Sequence, residues 1–179
     1  VEKRSDGHTV HYGYDGSRLR RETNVTNNLL AGYDWAAGRI LSSTENNSTV
    51  YAQHDALNSP LRWSRSDGGE QGSTTFSAWG ETDAQSGDVP HIGYTGHYQD
   101  DETGDYYAEQ RYYRPGLGRF TRTDPWEGDT LNPITLNKYL YANGNPLLFV
   151  DPTGMYGQFF DGTWNDDRPG TLESGTQTN

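Results

Sequence analysis

The sequence contains no cysteine and a single methionine, Met155. The first absence excludes disulfides, cysteine metal sites and thiol nucleophiles. Aliphatic residues are scarce: Leu, Ile, Val and Phe together number 27 of 179, about 15%. No apolar run approaches the ~20 residues that a spanning helix needs, and the start is not basic and then apolar, so neither a membrane span nor a signal peptide is expected. Positive charge is also short, with 14 Lys and Arg against 25 Asp and Glu and a net charge of −11. Affinity for phosphates needs clustered Lys and Arg, so no nucleic acid is an expected partner of this segment. Few aliphatics with high net charge is the composition of a disordered chain, which has too little apolar surface to offset the entropy of ordering.

What is present argues the other way. Thirteen Tyr, five Trp and five Phe are far more aromatic surface than disordered chains carry, and each ring can bury on the order of 150–250 Å². The expectation is an aromatic-packed, turn-rich, mainly β fold. A chain that opens at Val1 without an initiator reads as a piece of something longer, whose remainder could supply further burial.

A weak repeat runs through the first half. Tyr12-Gly-Tyr14-Asp15-Gly16-Ser17-Arg18-Leu19 recurs as Gly32-Tyr33-Asp34 with Gly38-Arg39-Ile40, and again as Tyr51-Ala-Gln-His54-Asp55 with Leu57 and Pro60-Leu61. Tyr14, Tyr33 and Tyr51 are 19 and 18 residues apart. Short alternating stretches separated by Asp, Gly, Asn or Ser are the pattern of successive β-hairpins. The tyrosines can fill a strand face as cross-strand pairs, or stack on sugars. The hairpins continue through Thr74–Glu81, and a polar loop is expected near Asp83–Asp88.

From His91 the texture changes, with Tyr94, Tyr98, Tyr106, Tyr107, Tyr112, Tyr113 and Phe120 inside thirty residues. Turns are spelled out by Asp101-Glu-Thr-Gly104 and Arg114-Pro115-Gly-Leu-Gly118. Leu136–Tyr141 is expected as a short helix or turn, and Leu147-Leu-Phe-Val150 as a buried strand ending at Asp151-Pro-Thr-Gly154. After Met155 the composition shifts again, towards a Gly/Ser/Thr/Gln tail.

These motifs resemble the C-terminal part of Rhs (YD-repeat) proteins, including the Rhs-associated core segment. The units at Tyr14 and Tyr33 look like degenerate YD repeats. The ordered series Gly93-Tyr-Thr-Gly96-His-Tyr98, Glu102-Thr-Gly104, Tyr106-Tyr107, Arg111-Tyr-Tyr113, Leu117-Gly-Arg-Phe120, Asp124-Pro125, Asn137, Tyr139, Tyr141, Asn145-Pro146 and Asp151-Pro-Thr-Gly154 is the stronger part. Arg114 departs from the family, which usually has Asp there; only a turn is expected to change. The resemblance implies β-hairpins in residues 1–90 that form part of a hollow spiral shell, an inward-curling core or plug in residues 91–155, and the start of a variable toxin in residues 156–179.

The resemblance further implies an intramolecular aspartic protease that cuts just after the second Asp-Pro motif. Carried over residue by residue, Asp124 and Asp151 are its carboxylates and Met155–Tyr156 is the scissile bond. Two carboxylates held close can share one proton, so that one acts as acid while the other activates water. Asp129 lies within what looks like inserted sequence, Glu127–Pro133, and is an alternative for either role. Asp-Pro-Thr-Gly is equally a good type I turn, which could present the bond to be cut.

Other groupings carry less. The pairs Asp100-Asp101, Glu102 with Asp105, and Asp166-Asp167 are expected on the solvated surface. The five His are scattered, and His8 and His11 lack a third ligand, so no metal or cofactor is expected. Phe159-Phe-Asp-Gly-Thr-Trp-Asn165 resembles the first strand and turn of α/β-hydrolase lipase effectors of type VI secretion, or is a plain linker strand. The implied partners are the chain's own toxin and the remainder of the shell, with a secretion spike, chaperone and immunity protein as candidates. The implied location is cytoplasmic before export, then secreted or delivered into target bacteria. A reading from another class remains open, a non-enzymatic surface module that binds carbohydrate through its aromatic rows.

Overall fold

Turn chemistry organises the first half of the chain. In the computed structural model, which describes residues 2–5, 8–16, 18–155 and 157–159, nine strands follow one another: β1 (Glu2–Ser5), β2 (His8–Asp15), β3 (Arg18–Asn24), β4 (Leu29–Ala36), β5 (Arg39–Glu45), β6 (Ser48–His54), β7 (Pro60–Arg65), β8 (Glu70–Phe76) and β9 (Thr82–Gly87). Ala37 and Gly38 between β4 and β5 both have positive φ, as do Asn46 and Asn47 between β5 and β6. Such two-residue turns match the right-handed twist of the strands they join. Wider corners are closed by side chains: Asn24 Oδ1 accepts the N–H groups of Thr26 and Asn28, and Asp55 Oδ1 those of Leu57 and Ser59. The result is one antiparallel sheet in chain order, each strand paired with the next.

The mainly β expectation holds, and the register refines the repeat. Tyr33 is opposite Ser43 and is buried, whereas Tyr51 is opposite Ser42 and is 49% exposed. Adjacent strand positions point to opposite faces, so the change from a spacing of 19 to one of 18 turns Tyr51 outward and gives its place in the core to Val50. Expected as a polar loop, Asp83–Asp88 falls largely within β9. Backbone pairing with β8 is enough to make this edge strand, all of whose side chains are exposed.

The second half is held by rings. Strands β10 (Tyr98–Gln99), β11 (Tyr106–Ala108), β12 (Arg111–Arg114) and β13 (Arg119–Phe120) form a small antiparallel sheet, and β14 (Phe149–Val150) pairs with β15 (Gln158–Phe159). Leu147 and Leu148 are exposed and precede the strand, so the expected four-residue buried strand is only two residues long. Tyr106, Tyr113 and Tyr141 are fully buried, and Tyr113 stacks on Tyr141 with ring centres 4.0 Å apart. Burying such a ring contributes on the order of 2–3 kcal/mol, which is how a chain poor in aliphatics builds a core.

Tyrosine hydroxyls then fasten this core to the large sheet. In the turn between β8 and β9, Ala78 O accepts from Tyr94, Trp79 O from Tyr113, and Gly80 O from Tyr106, at 2.9, 2.7 and 3.1 Å. On the opposite flank Tyr12 and Tyr14 of β2 meet Tyr98 and Tyr107 edge to face, at 5.2 and 5.7 Å. Tyrosines 12, 14 and 33 are therefore committed to packing inside the molecule.

Two expectations about charge are corrected. Asp100 and Asp105 are buried, not solvated: Asp100 Oδ1 accepts the N–H groups of Glu102 and Thr103, and Asp105 accepts a two-pronged bond from Arg114 at 2.8 and 2.7 Å. Asp101 and Glu102 remain exposed, and Asp166-Asp167 lies outside the described residues. Arg114 thus does more than alter a turn. It supplies the fork that a buried carboxylate needs.

Candidate functional site

A buried guanidinium organises the second half of the chain. Arg111, the first residue of β12, is 2% exposed and lies over the Phe120 ring with its central carbon 3.7 Å from the ring centre. Cations favour such ring faces, but a buried charge also requires anionic or carbonyl partners. Arg111 Nη2 is 2.9 Å from Asp124 Oδ2 and 3.6 Å from Asp151 Oδ2. Its Nη1 donates to Lys138 O at 3.2 Å, and its Nε donates to Gly154 O. Burial pulls the Arg111 guanidinium down from its ordinary value, opposed by the charges of Asp124 and Asp151. Arginine stays protonated in proteins all the same.

Local turns aim both carboxylates. Asp124 follows β13 and its Oδ1 accepts the N–H of Trp126 at 2.9 Å, which leaves Oδ2 to face Arg111. Its own N–H donates to Lys138 O, the carbonyl that Arg111 also uses. Asp151 follows β14 and is 1% exposed; its Oδ1 accepts the N–H of Met155 at 3.1 Å, so a side-chain bond closes the bend at Asp-Pro-Thr-Gly. Gly154 has φ of 69° and sits where a Cβ would strike the Ala108 carbonyl oxygen. That close approach, with Gln110 N–H donating to Thr153 O, presses the 151–155 turn onto the corner between β11 and β12.

The two predicted carboxylates, 27 residues apart in sequence, therefore meet at one guanidinium nitrogen. Asp129 takes no part in that meeting as described: it is exposed, and its carboxylate accepts the N–H of Leu131 in its own loop. Met155 is half-buried next to Asp151, whereas Tyr156 lies outside the described residues, as do residues 160–179 of the segment 156–179 expected to begin a toxin. In the sequence Arg111 stands within the tyrosine block with no motif that assigns it a role. Its signal was chemical: two converging carboxylates in a chain this poor in cations need a buried positive charge. His97 was missed as well. Its ring N–H donates to the Asp151 backbone carbonyl, and burial pushes the imidazole down to about 4, so it stays neutral beside the site at ordinary pH. Among the described residues no group of three or more His, Asp or Glu is placed to hold a metal ion, and no helix is long and apolar enough to cross a membrane.

No family model matches the chain. It is 33% identical over 163 residues to the tRNA3(Ser)-specific nuclease WapA of Bacillus spizizenii, covering 87% of this chain and 7% of that protein. It is 29% identical over 140 residues to double-stranded DNA deaminase toxin A of Burkholderia cenocepacia, covering 74% of this chain and 10% of that one. This is a toxin-related segment. The chain spans less than a tenth of the length of the nuclease it resembles. The fold matches that of the Tc holotoxin pore of Photorhabdus luminescens, with a TM-score of 0.65 over 88% of the chain and 8% of the other, at 22% identity. The weaker likeness of residues 159–165 to lipase effectors gains no support from these relatives.

Proposed function

We propose that this segment is the closing end of a shell that encloses a C-terminal toxin and frees it by cutting its own chain after Met155. One observation carries the reading: Arg111 gathers Asp124, Asp151 and the Gly154 carbonyl around the turn that leads to the cut. In the proposed step one carboxylate removes a proton from water, the hydroxide adds to the carbonyl carbon, and the C–N bond breaks as the other carboxyl group protonates the departing amine. Arg111 holds the two carboxylates beside the turn, and its own donor reaches the Gly154 carbonyl, one residue before that of Met155. Asp124 and Asp151 are the residues proposed for the two carboxyl roles, and Asp129 is the outsider by its position in the loop.

The domain limits at residues 90 and 155 belong to this reading, as do the partners: the rest of the shell, the enclosed toxin, and a secretion spike, chaperone or immunity protein. Delivery from the producing cell into competing bacteria belongs to the same reading; the relatives named as toxins support secretion or delivery. The packing of Tyr12, Tyr14 and Tyr33 inside the molecule counts against carbohydrate binding through these repeat tyrosines, whereas Tyr51 is exposed.

A specific observation does favour a second position for the cut. Within the 151–155 turn, the Gly154–Met155 peptide is held at both ends by side chains, its carbonyl by Arg111 and its N–H by Asp151. The mass and first residue of the released piece decide between the two. Tyr156 at its start supports the proposed bond; Met155 at its start moves the cut one residue earlier; release of no piece removes self-cleavage.

A further inference from the structure

Away from the Arg111 site, a second buried carboxylate lies where the large sheet meets the segment after it. Glu22 of β3 is 5% exposed, and its Oε1 accepts the Tyr33 hydroxyl at 2.6 Å. One phenol hydrogen bond does not satisfy a buried carboxylate, which calls for a cation. The facing group is His91, which belongs to the strap between β9 and β10. Its Nδ1 is 3.6 Å from Glu22 Oε1 and its Nε2 is 3.3 Å from Asp101 Oδ2, in the turn between β10 and β11. The imidazole thus stands between a carboxylate of the sheet and a carboxylate of the core segment.

The surroundings make the ring both fixed and responsive. His91 meets the Tyr98 ring edge to face at 5.7 Å, and Tyr98 in turn bonds the Tyr12 hydroxyl of β2 at 3.0 Å. The His91 carbonyl accepts the Gln99 N–H, which ties the strap to β10. Among the described residues, the charged groups acting on the ring are acidic: Glu22 from β3, Glu45 from β5 and Asp101 from the core turn, with Asp88 of the strap acting on Glu45.

We propose that His91 is a pH-operated latch, joining Glu22 of the sheet to Asp101 of the core segment when protonated and letting residues 88–107 loosen when neutral. The Glu22 carboxylate close to Nδ1, aided by the charges of Asp101 and Glu45, raises the imidazole above its ordinary 6.5 against the opposing effect of burial. A group raised in the folded state contributes stability that is complete below the unfolded value and is lost as pH climbs through the folded one. The latch therefore holds in mild acid and weakens as pH rises past 6.5. Glu45, pushed up by burial, loses its charge early on the acid side and bounds the window from below. This device is separate from the proposed self-cleavage, and neither stands or falls with the other.

Histidine C2 hydrogen exchange and amide hydrogen exchange, read by mass spectrometry on the full chain across pH 5 to 9, test the latch. The expected half-titration of His91 lies above 6.5 while His97 stays far below it. Amide exchange in 88–107, corrected for its intrinsic pH dependence, should rise roughly three- to tenfold through the His91 transition, since one unit of pKa shift is a tenfold bias. The β5–β6 hairpin should show no such step. Glu22→Gln and His91→Gln should each abolish the step. A His91 titration at or below 6.5 overturns the proposal, and so does a step in 88–107 that is missing from the unaltered protein or that persists in a folded His91→Gln variant. The two measurements on the unaltered protein decide the matter if both variants fail to fold.

Discussion

Arg111 and Asp151 are drawn together from opposite sides of one turn: the guanidinium that lies 3.6 Å from the Asp151 carboxylate also donates to the Gly154 carbonyl, three residues further along. Substrate turn and carboxylates therefore share one fixed cation. The self-cleavage proposed for this turn is expected to be intramolecular, with a rate independent of protein concentration.

Arg111→Lys keeps a charge but loses the fork that reaches two carboxylates and two carbonyls. For a cut at Gly154–Met155, whose carbonyl Arg111 holds, the rate of fragment appearance should fall by about 10²–10³-fold, the loss seen when one donor to a developing oxyanion is removed. Arg111→Met should also unfold at lower urea, by about 3–5 kcal/mol, because two carboxylates lose their buried counter-charge. A gel time course and a urea titration read the two effects.

Gly154→Ala brings two penalties to one position, a positive φ and a collision with the Ala108 carbonyl. Gly104 has a similar φ of 71° and open space around it. Gly104→Ala should cost about 1–2 kcal/mol, the left-handed penalty alone, and leave cleavage intact. Gly154→Ala should cost more and slow cleavage. Equal stabilities for the two variants would contradict the close approach.

Tyr113→Phe leaves Trp79 O without its donor while keeping the ring stack on Tyr141. Tyr106→Phe does the same at Gly80 O. Each should cost about 1–3 kcal/mol, the penalty for an orphaned buried polar group. Tyr51→Phe, on the exposed face, should change urea stability by less than about 0.5 kcal/mol.

His97 gives the opposite pH dependence to His91. Its folded value of about 4 lies below the unfolded 6.5, so the unfolded chain binds the extra proton between those values. Stability from this residue is complete above 6.5 and is lost as pH falls towards 4, on the order of 3 kcal/mol in all. Urea midpoints at pH 7 and pH 4.5 should converge in His97→Gln relative to the parent. An unchanged pH dependence in that variant would show that the imidazole is not sealed against protons.

Much of the fold was legible because turn residues and aromatic spacing act locally. Asn24, Asp55 and the Asn46-Asn47 pair close corners with their own side chains or dihedrals, so their positions announce hairpins. Face assignment was less legible: the change of spacing between Tyr33 and Tyr51 puts one ring in the core and the other in solvent, and only strand pairing reveals it. At the site, Asp124 and Asp151 were marked by their Asp-Pro motifs. Arg111 was hidden because its partners are 13 and 40 residues away, and nothing in a Tyr-rich block tells a buried guanidinium from a solvated one. The burial of Asp100 and Asp105 escaped notice for the same reason, since their partners are turn amides and a single arginine.

Intact mass after synthesis, compared among the parent chain, Asp124→Asn and Asp151→Asn, bears on self-cleavage without intermediaries. Two fragments are expected from the parent, with the break at Met155–Tyr156 or one bond earlier. A single full-length species is expected from both variants, with unfolding still cooperative. Fragments of the same mass from all three proteins, or an uncut parent, would show that these carboxylates do not cut the chain.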